Sequence, residues 1–121
     1  MTAILVVDDS RVIRRVARSM LEKLGFNVSE ADTGEAALES CRASQPTGIL
    51  LDWNMPVMDG LTFLKKLRME PGGDGPKVVF CTTENDMAHI TAALEAGADE
   101  YLMKPFDEEI LRSKLSGVGL M

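Results

Sequence analysis

The chain has 121 residues, 45% hydrophobic and 26% charged, with a formal net charge of -6 from 19 acidic and 13 basic residues. That length is near the commonest size for one domain, here expected over residues 1–121, and the apolar share supports a core without metal or disulfide staples. The acidic balance argues against nucleic-acid binding and against adhesion to an anionic membrane, while leaving a divalent cation compatible.

The first apolar run, Ala3–Val7, has no alternation, as in a strand buried on both faces. It is too short for a signal or spanning segment and no basic region precedes it, so no membrane insertion and a cytoplasmic location are expected. The run ends in Asp8-Asp9-Ser10. A helix should follow, because Val12, Ile13, Val16, Ala17, Met20, Leu21 and Leu24 recur at helical spacing, and Gly25 supplies a left-handed stop. Arg11, Arg14, Arg15 and Arg18 fall mainly on the opposite side. They read as a solvated face or, more sharply, as a surface for an acidic partner.

Residues 26–31 roughly alternate apolar and polar, as in a strand nearer a sheet edge. Thr33-Gly34 opens a short helix over about residues 34–43, with Ala37, Leu38 and Cys41 facing inward. A third strand over residues 49–52, Ile-Leu-Leu-Asp, runs into the turn Trp53-Asn54-Met55-Pro56. Beyond Asp59-Gly60 a helix carries Leu61, Leu64 and Leu67 on one stripe. Residues 71–76, Pro-Gly-Gly-Asp-Gly-Pro, are the strongest breaker and read as a surface loop. Val78-Val79-Phe80-Cys81 forms a fourth buried strand ending at Thr82-Thr83. Asp86 is a candidate cap for the next helix, whose inner stripe is Ile90, Ala93 and Leu94, with Gly97 as its stop. A fifth strand, Glu100–Met103, leads into Lys104-Pro105. The last helix starts near Asp107, carries Ile110, Leu111 and Leu115, and is over by Gly117.

Five β-α repeats indicate an α/β fold, a doubly wound (βα)5 parallel sheet with helices on both faces. In such a sheet the strand carboxyl ends share one edge, where ligands bind. That edge gathers Asp8 and Asp9 from the first strand, Asp52 from the third, Thr82 from the fourth and Lys104 from the fifth. Each has a bland reading alone, since aspartate and threonine favour turns and caps and lysine favours solvent. Their coincidence at one edge points to phosphate chemistry. Clustered carboxylates repel unless a proton or a cation intervenes, and hard oxygen donors on an open edge suit Mg2+. Asp52 can serve as a nucleophile forming an aspartyl phosphate. Mg2+ on Asp8 or Asp9, together with Lys104, would neutralise the phosphoryl oxygens, and the Thr82 hydroxyl would donate a hydrogen bond.

Val7-Asp8-Asp9-Ser10, Asp52-Trp53-Asn54-Met55-Pro56 with Asp59-Gly60, Thr82-Thr83-Glu84, Gly97-Ala98, and Tyr101 through Lys104-Pro105-Phe106 together resemble the receiver domain of two-component response regulators, above all its single-domain, CheY-like members. The resemblance spans essentially the whole chain. It implies a flavodoxin-like sheet of strand order 2-1-3-4-5 and phosphorylation of Asp52. The implied metal ligands are Asp9, Asp52 and the backbone carbonyl of Asn54, with Asp8 reaching the ion mainly through water. It also implies a switch in which Thr82 moves toward the phosphoryl group and the Tyr101 ring turns inward, changing the surface of the fourth helix, fifth strand and fifth helix. Lys104-Pro105 is a candidate cis bond. Thr83 stands where such members often carry alanine.

The expected role is a response regulator that accepts a phosphoryl group from a histidine kinase or a histidine phosphotransfer protein and then binds a downstream protein target differently. It would catalyse its own modification without turning over a substrate. A Mg2+-dependent phosphatase with an aspartyl-phosphate intermediate is the rival; such enzymes usually place a second aspartate where this chain has Asn54. A flavin-binding domain of the same fold would need a hydroxyl- and glycine-rich phosphate loop after the first strand, which is missing. His89 reads as a surface helix residue, Trp53 as a partly buried reporter beside the site, and Cys41 and Cys81 as buried thiols without a disulfide.

Overall fold

The computed structural model describes residues 2–83 and 87–121. Strands β1 (Ala3–Val7), β2 (Asn27–Ala31), β3 (Gly48–Asp52), β4 (Lys77–Thr82) and β5 (Glu100–Met103) alternate with helices α1 (Arg11–Lys23), α2 (Gly34–Ala43), α3 (Gly60–Met69), α4 (Met87–Glu95) and α5 (Glu108–Gly117). Every strand pairing is parallel, and the order is β2-β1-β3-β4-β5, as expected.

Strand periodicity divides the core in two. Leu5, Val7, Ile49, Leu51, Val78 and Phe80 face α2, α3 and α4. Ile4, Val6, Leu50, Val79, Cys81 and Leu102 face α1 and α5. All five residues of β3 are buried, which is why its sequence is apolar without alternation.

Side chains cap four helices: Ser10 accepts from the Ile13 amide, Thr33 from Ala36, Asp59 from Thr62 and Asp107 from Ile110. At the carboxyl end of α1, the Gly25 amide donates to Glu22 and the Phe26 amide to Leu21, with Gly25 at φ +96°. Paired bonds of this kind satisfy the last carbonyls of a helix. Phe26 therefore completes the helix stop, and β2 begins one residue later than the alternation implies. The same paired bonds at Gly97 and Ala98 end α4, and those at Gly119 and Leu120 end α5. α5 ends at Gly117, where its end was expected, and its left-handed stop is Gly119.

Several apolar stripes are wider than the faces they bury. On α1 only Ala17 and Leu21 are buried, while Val12 (70%), Val16 and Ile13 are exposed. Leu94 of α4 and Ile110 of α5 are likewise exposed, and Leu61 of α3 is only partly buried. Phe63 instead joins Leu64 and Leu67 in the α3 core. The proposed Asp86 cap and Glu84 lie outside the described residues. The 71–76 loop is held by Arg68, whose guanidinium donates to the carbonyls of Gly73, Pro76 and Gly97. No helix among the described residues is long and apolar enough to cross a membrane.

Candidate functional site

The parallel register carries the chemistry to one edge. Asp52 ends β3 opposite Cys81, so Thr82 lies one residue farther along β4, beside Met103 of β5. The Lys104 amide continues that ladder by donating to the Thr82 carbonyl at 2.9 Å. At the other side, the Asp8 amide donates to the Ala31 carbonyl at 3.1 Å and extends the β1–β2 pairing. Backbone hydrogen bonds thus position Asp8, Thr82 and Lys104 before any side chain takes part.

Asp8 (4%), Asp52 (6%) and Thr82 (1%) are the buried polar or charged residues among the described ones, and all three lie at this edge. Burying charge is costly unless it is paired. Lys104 pairs two of them, its Nζ lying 2.8 Å from Asp52 Oδ1 and 3.0 Å from Asp8 Oδ2. The other Asp8 oxygen accepts from the Ser10 amide at 2.8 Å. Asp9 is exposed, yet Asp8, Asp9 and Asp52 each offer a carboxylate oxygen within 4.8 Å of the others.

Burial pushes the Asp52 carboxyl above its ordinary range against the pull of Lys104, and the negative charges of Asp8 and Asp9 push it the same way. Burial opposes the Lys104 ammonium, but its hydrogen bonds to Asp52 and Asp8 outweigh that and raise it above its ordinary value. Three carboxylates against one ammonium leave a site charge of -2 when all are ionised. One divalent cation balances it. Hard oxygen donors held within a few ångströms, with an open side at Asp9, fit Mg2+.

The turn behind Asp52 is fixed by close packing. The Gly60 amide donates to the Trp53 carbonyl at 2.9 Å, and a Cβ on Gly60 would stand 2.1 Å from the Asp52 carbonyl oxygen. Glycine at the first residue of α3 is a steric requirement. Trp53 is more buried than expected, its ring 4.7 Å from Phe80 and edge-on to His89 at 4.9 Å. His89 is accordingly half-buried on α4, where a surface position was expected. Asn54 and Thr83 are exposed beside the site. Tyr101 is buried on β5. The Lys104-Pro105 peptide bond is cis.

The arginine face of α1 is not uniformly solvated. Arg14 Nε lies 3.0 Å from Glu30 Oε1, Arg18 Nη1 lies 2.8 Å from Glu30 Oε2, and Arg14 Nη1 donates to the Asp8 carbonyl at 2.6 Å. Arg11 and Arg15 remain exposed. Sequence reasoning missed this link; its one signal was Glu30, a charged residue on a short edge strand next in order to an arginine-rich helix.

A sequence model described as Response regulator receiver domain matches residues 4–116. The chain is 40% identical over 117 residues to Chemotaxis protein CheY1 of Helicobacter pylori, covering 95% of this chain and 94% of that protein. It is 38% identical to the Chemotaxis protein CheY homolog of Campylobacter jejuni, covering 95% of this chain and 90% of that one. Chemotaxis response regulator CheY4 of Vibrio cholerae superposes with a TM-score of 0.92 at 34% identity, over 98% of each chain.

Proposed function

Since the chain belongs to the response regulator receiver domain family of two-component signalling, we propose that Asp52 is its phospho-acceptor, loaded from a phosphohistidine donor with Mg2+. The observation that carries this reading is the buried Asp52 carboxylate held 2.8 Å from Lys104 within a cluster of three aspartates. A carboxylate oxygen of Asp52 attacks phosphorus, forming an O–P bond as the P–N bond to the donor imidazole breaks; the leaving imidazole takes its proton from solvent. Mg2+, when bound, supplies neutralising charge to the phosphoryl oxygens. Asp9, Asp52 and the Asn54 carbonyl would hold it, with Asp8 acting through water.

The residues of the chain supply the rest. Lys104 offers a fixed ammonium beside the acceptor, so charge arriving on the phosphoryl group meets a group already oriented and partly desolvated. Thr82, at the end of β4, offers its hydroxyl to a phosphoryl oxygen. That contact exists only in the modified state, so it can shift the balance between two arrangements of Thr82 and Tyr101. The altered surface then binds a downstream protein, and the names borne by the similar proteins favour a chemotaxis output.

The donor is a histidine kinase or a histidine phosphotransfer protein, and the setting is cytoplasmic, in keeping with two buried free thiols. The chain modifies itself and turns over no external substrate. The family match and Asn54, standing where a phosphatase usually keeps a second aspartate, weigh against the phosphatase reading.

The test is intact mass after incubation with acetyl phosphate and Mg2+. Wild type gains one phosphoryl group, whereas Asp52→Asn gains none. A modified Asp52→Asn protein, or sustained release of phosphate from an added monoester, would overturn the assignment.

A further inference from the structure

The Asp8-Asp9 loop is braced from a direction that the chemistry of the site does not use. The peptide plane joining Asp8 to the exposed Asp9 sets where the Asp9 Cα stands, from which its carboxylate reaches the cluster. The amide of Asp8 is fixed by Ala31 of β2, and its side chain by Ser10 and Lys104. Its carbonyl is fixed by Arg14, Nη1 to oxygen at 2.6 Å. The Arg14 side chain is only 14% exposed, and its Nε is anchored on Glu30 at 3.0 Å. Glu30 in turn lies on β2 in register with Val6, and Arg18 holds its second oxygen at 2.8 Å. The planar fork of a guanidinium lets one residue meet a carboxylate and a carbonyl at once, which a lysine cannot reproduce.

We propose that Arg14 is a positioning residue for the Mg2+ site: held by Glu30, it fixes the Asp8 carbonyl and so keeps the Asp8-Asp9 carboxylates in the arrangement the ion needs. This rests on reading the aspartate cluster as a Mg2+ site. Outer partners that orient metal ligands typically cost 10–100-fold in metal affinity when removed. Arg14 grips the backbone rather than a ligand atom, so an effect near the lower end, about tenfold, is expected.

A positive charge beside the site would by itself repel Mg2+, and the two roles have opposite signs. Mg2+ affinity is measured by calorimetric titration and by Trp53 fluorescence for wild type, Arg14→Met, Arg14→Lys and Glu30→Gln, with Arg15→Met as the exposed control. Urea unfolding establishes that each variant is folded. Positioning requires both Arg14 variants to bind Mg2+ about tenfold more weakly, Glu30→Gln to weaken it less, and Arg15→Met to match wild type. Lysine, which keeps the charge but not the fork, does not rescue. A folded Arg14→Met that binds Mg2+ as tightly as wild type, or more tightly, overturns the inference and leaves the site intact. Wild type that binds no Mg2+ overturns the site reading itself. If the Arg14 variants do not fold, Glu30→Gln decides: unchanged affinity there overturns the inference.

Discussion

Replacing Lys104 with methionine tests whether one ammonium offsets the burial of two carboxylates. At 2.8 and 3.0 Å, each attraction is about 6 kcal/mol at an effective dielectric near 20. Much of that offsets the desolvation of the three charges, and breaking a buried ion pair by removing one partner costs roughly 3–5 kcal/mol. Without the ammonium, Asp8 and Asp52 face each other at no more than 4.8 Å, a repulsion of at least about 3 kcal/mol on the same scale. The Asp52 carboxyl, already above its ordinary range, then rises further because the group that pulled it down is gone.

The sign of the pH dependence follows from proton counts. A carboxyl whose pKa is higher in the folded state binds more protons there than in the unfolded chain. Stability therefore falls as pH climbs from the ordinary carboxylate range through the raised folded value, by at most about 1.4 kcal/mol per pH unit per group. Lys104 acts in the other window: its raised pKa stabilises the fold at and below neutrality and is lost only as the ammonium titrates in strong alkali. Urea unfolding of Lys104→Met from pH 5 to 8 should show a loss of roughly 3–5 kcal/mol at the upper end and recovery toward the lower. Adding Asp52→Asn should restore most of the loss at pH 7. A variant as stable as wild type across the range would refute the claim that this ammonium offsets buried charge.

Gly60→Ala should cost at least the roughly 1–3 kcal/mol of overpacking, because its Cβ would stand 2.1 Å from the Asp52 carbonyl oxygen and 2.9 Å from the Phe80 ring. Urea unfolding reads the loss, and acetyl phosphate labelling should fall with it as the acceptor backbone shifts; wild-type stability would contradict the packing. Cys41 and Cys81 should resist a thiol reagent in the native protein and react fully in urea. Both are buried, and burial pushes the Cys41 thiol up to about 11 and the Cys81 thiol higher still. Rapid native labelling of either would show that its helix or strand opens.

The legible parts of the fold were those in which the local pattern and the tertiary fate agree. β3 reads as buried because its residues are buried on both faces, and Gly25 and Gly97 read as stops because both helices end there in the left-handed conformation. The misreadings share a cause. A stripe on α1 shows which side faces inward but not how far its neighbours extend to cover it, so Val12 and Val16 belong to the apolar pattern and not to the core. The opposite case is Phe63, buried on α3 beside Leu64 and Leu67 although the stripe of leucines at 61, 64 and 67 passes over it.

The candidate site divides along the same line. Asp8, Asp52, Thr82 and Lys104 could be brought together from sequence because a parallel sheet puts strand ends at one edge, a rule that needs no side-chain coordinates. The Glu30–Arg14–Asp8 brace could not, since it depends on how far a long side chain reaches from a helix across to a neighbouring strand and back to a carbonyl. Residues that would touch a phosphoryl group are constrained in type and position, so they form a motif. A residue that holds the backbone behind them needs only reach and donors, and it leaves no such pattern. Positioning residues are therefore the part of a site that geometry reveals, and in this chain the arginine face of α1 is where that difference lies.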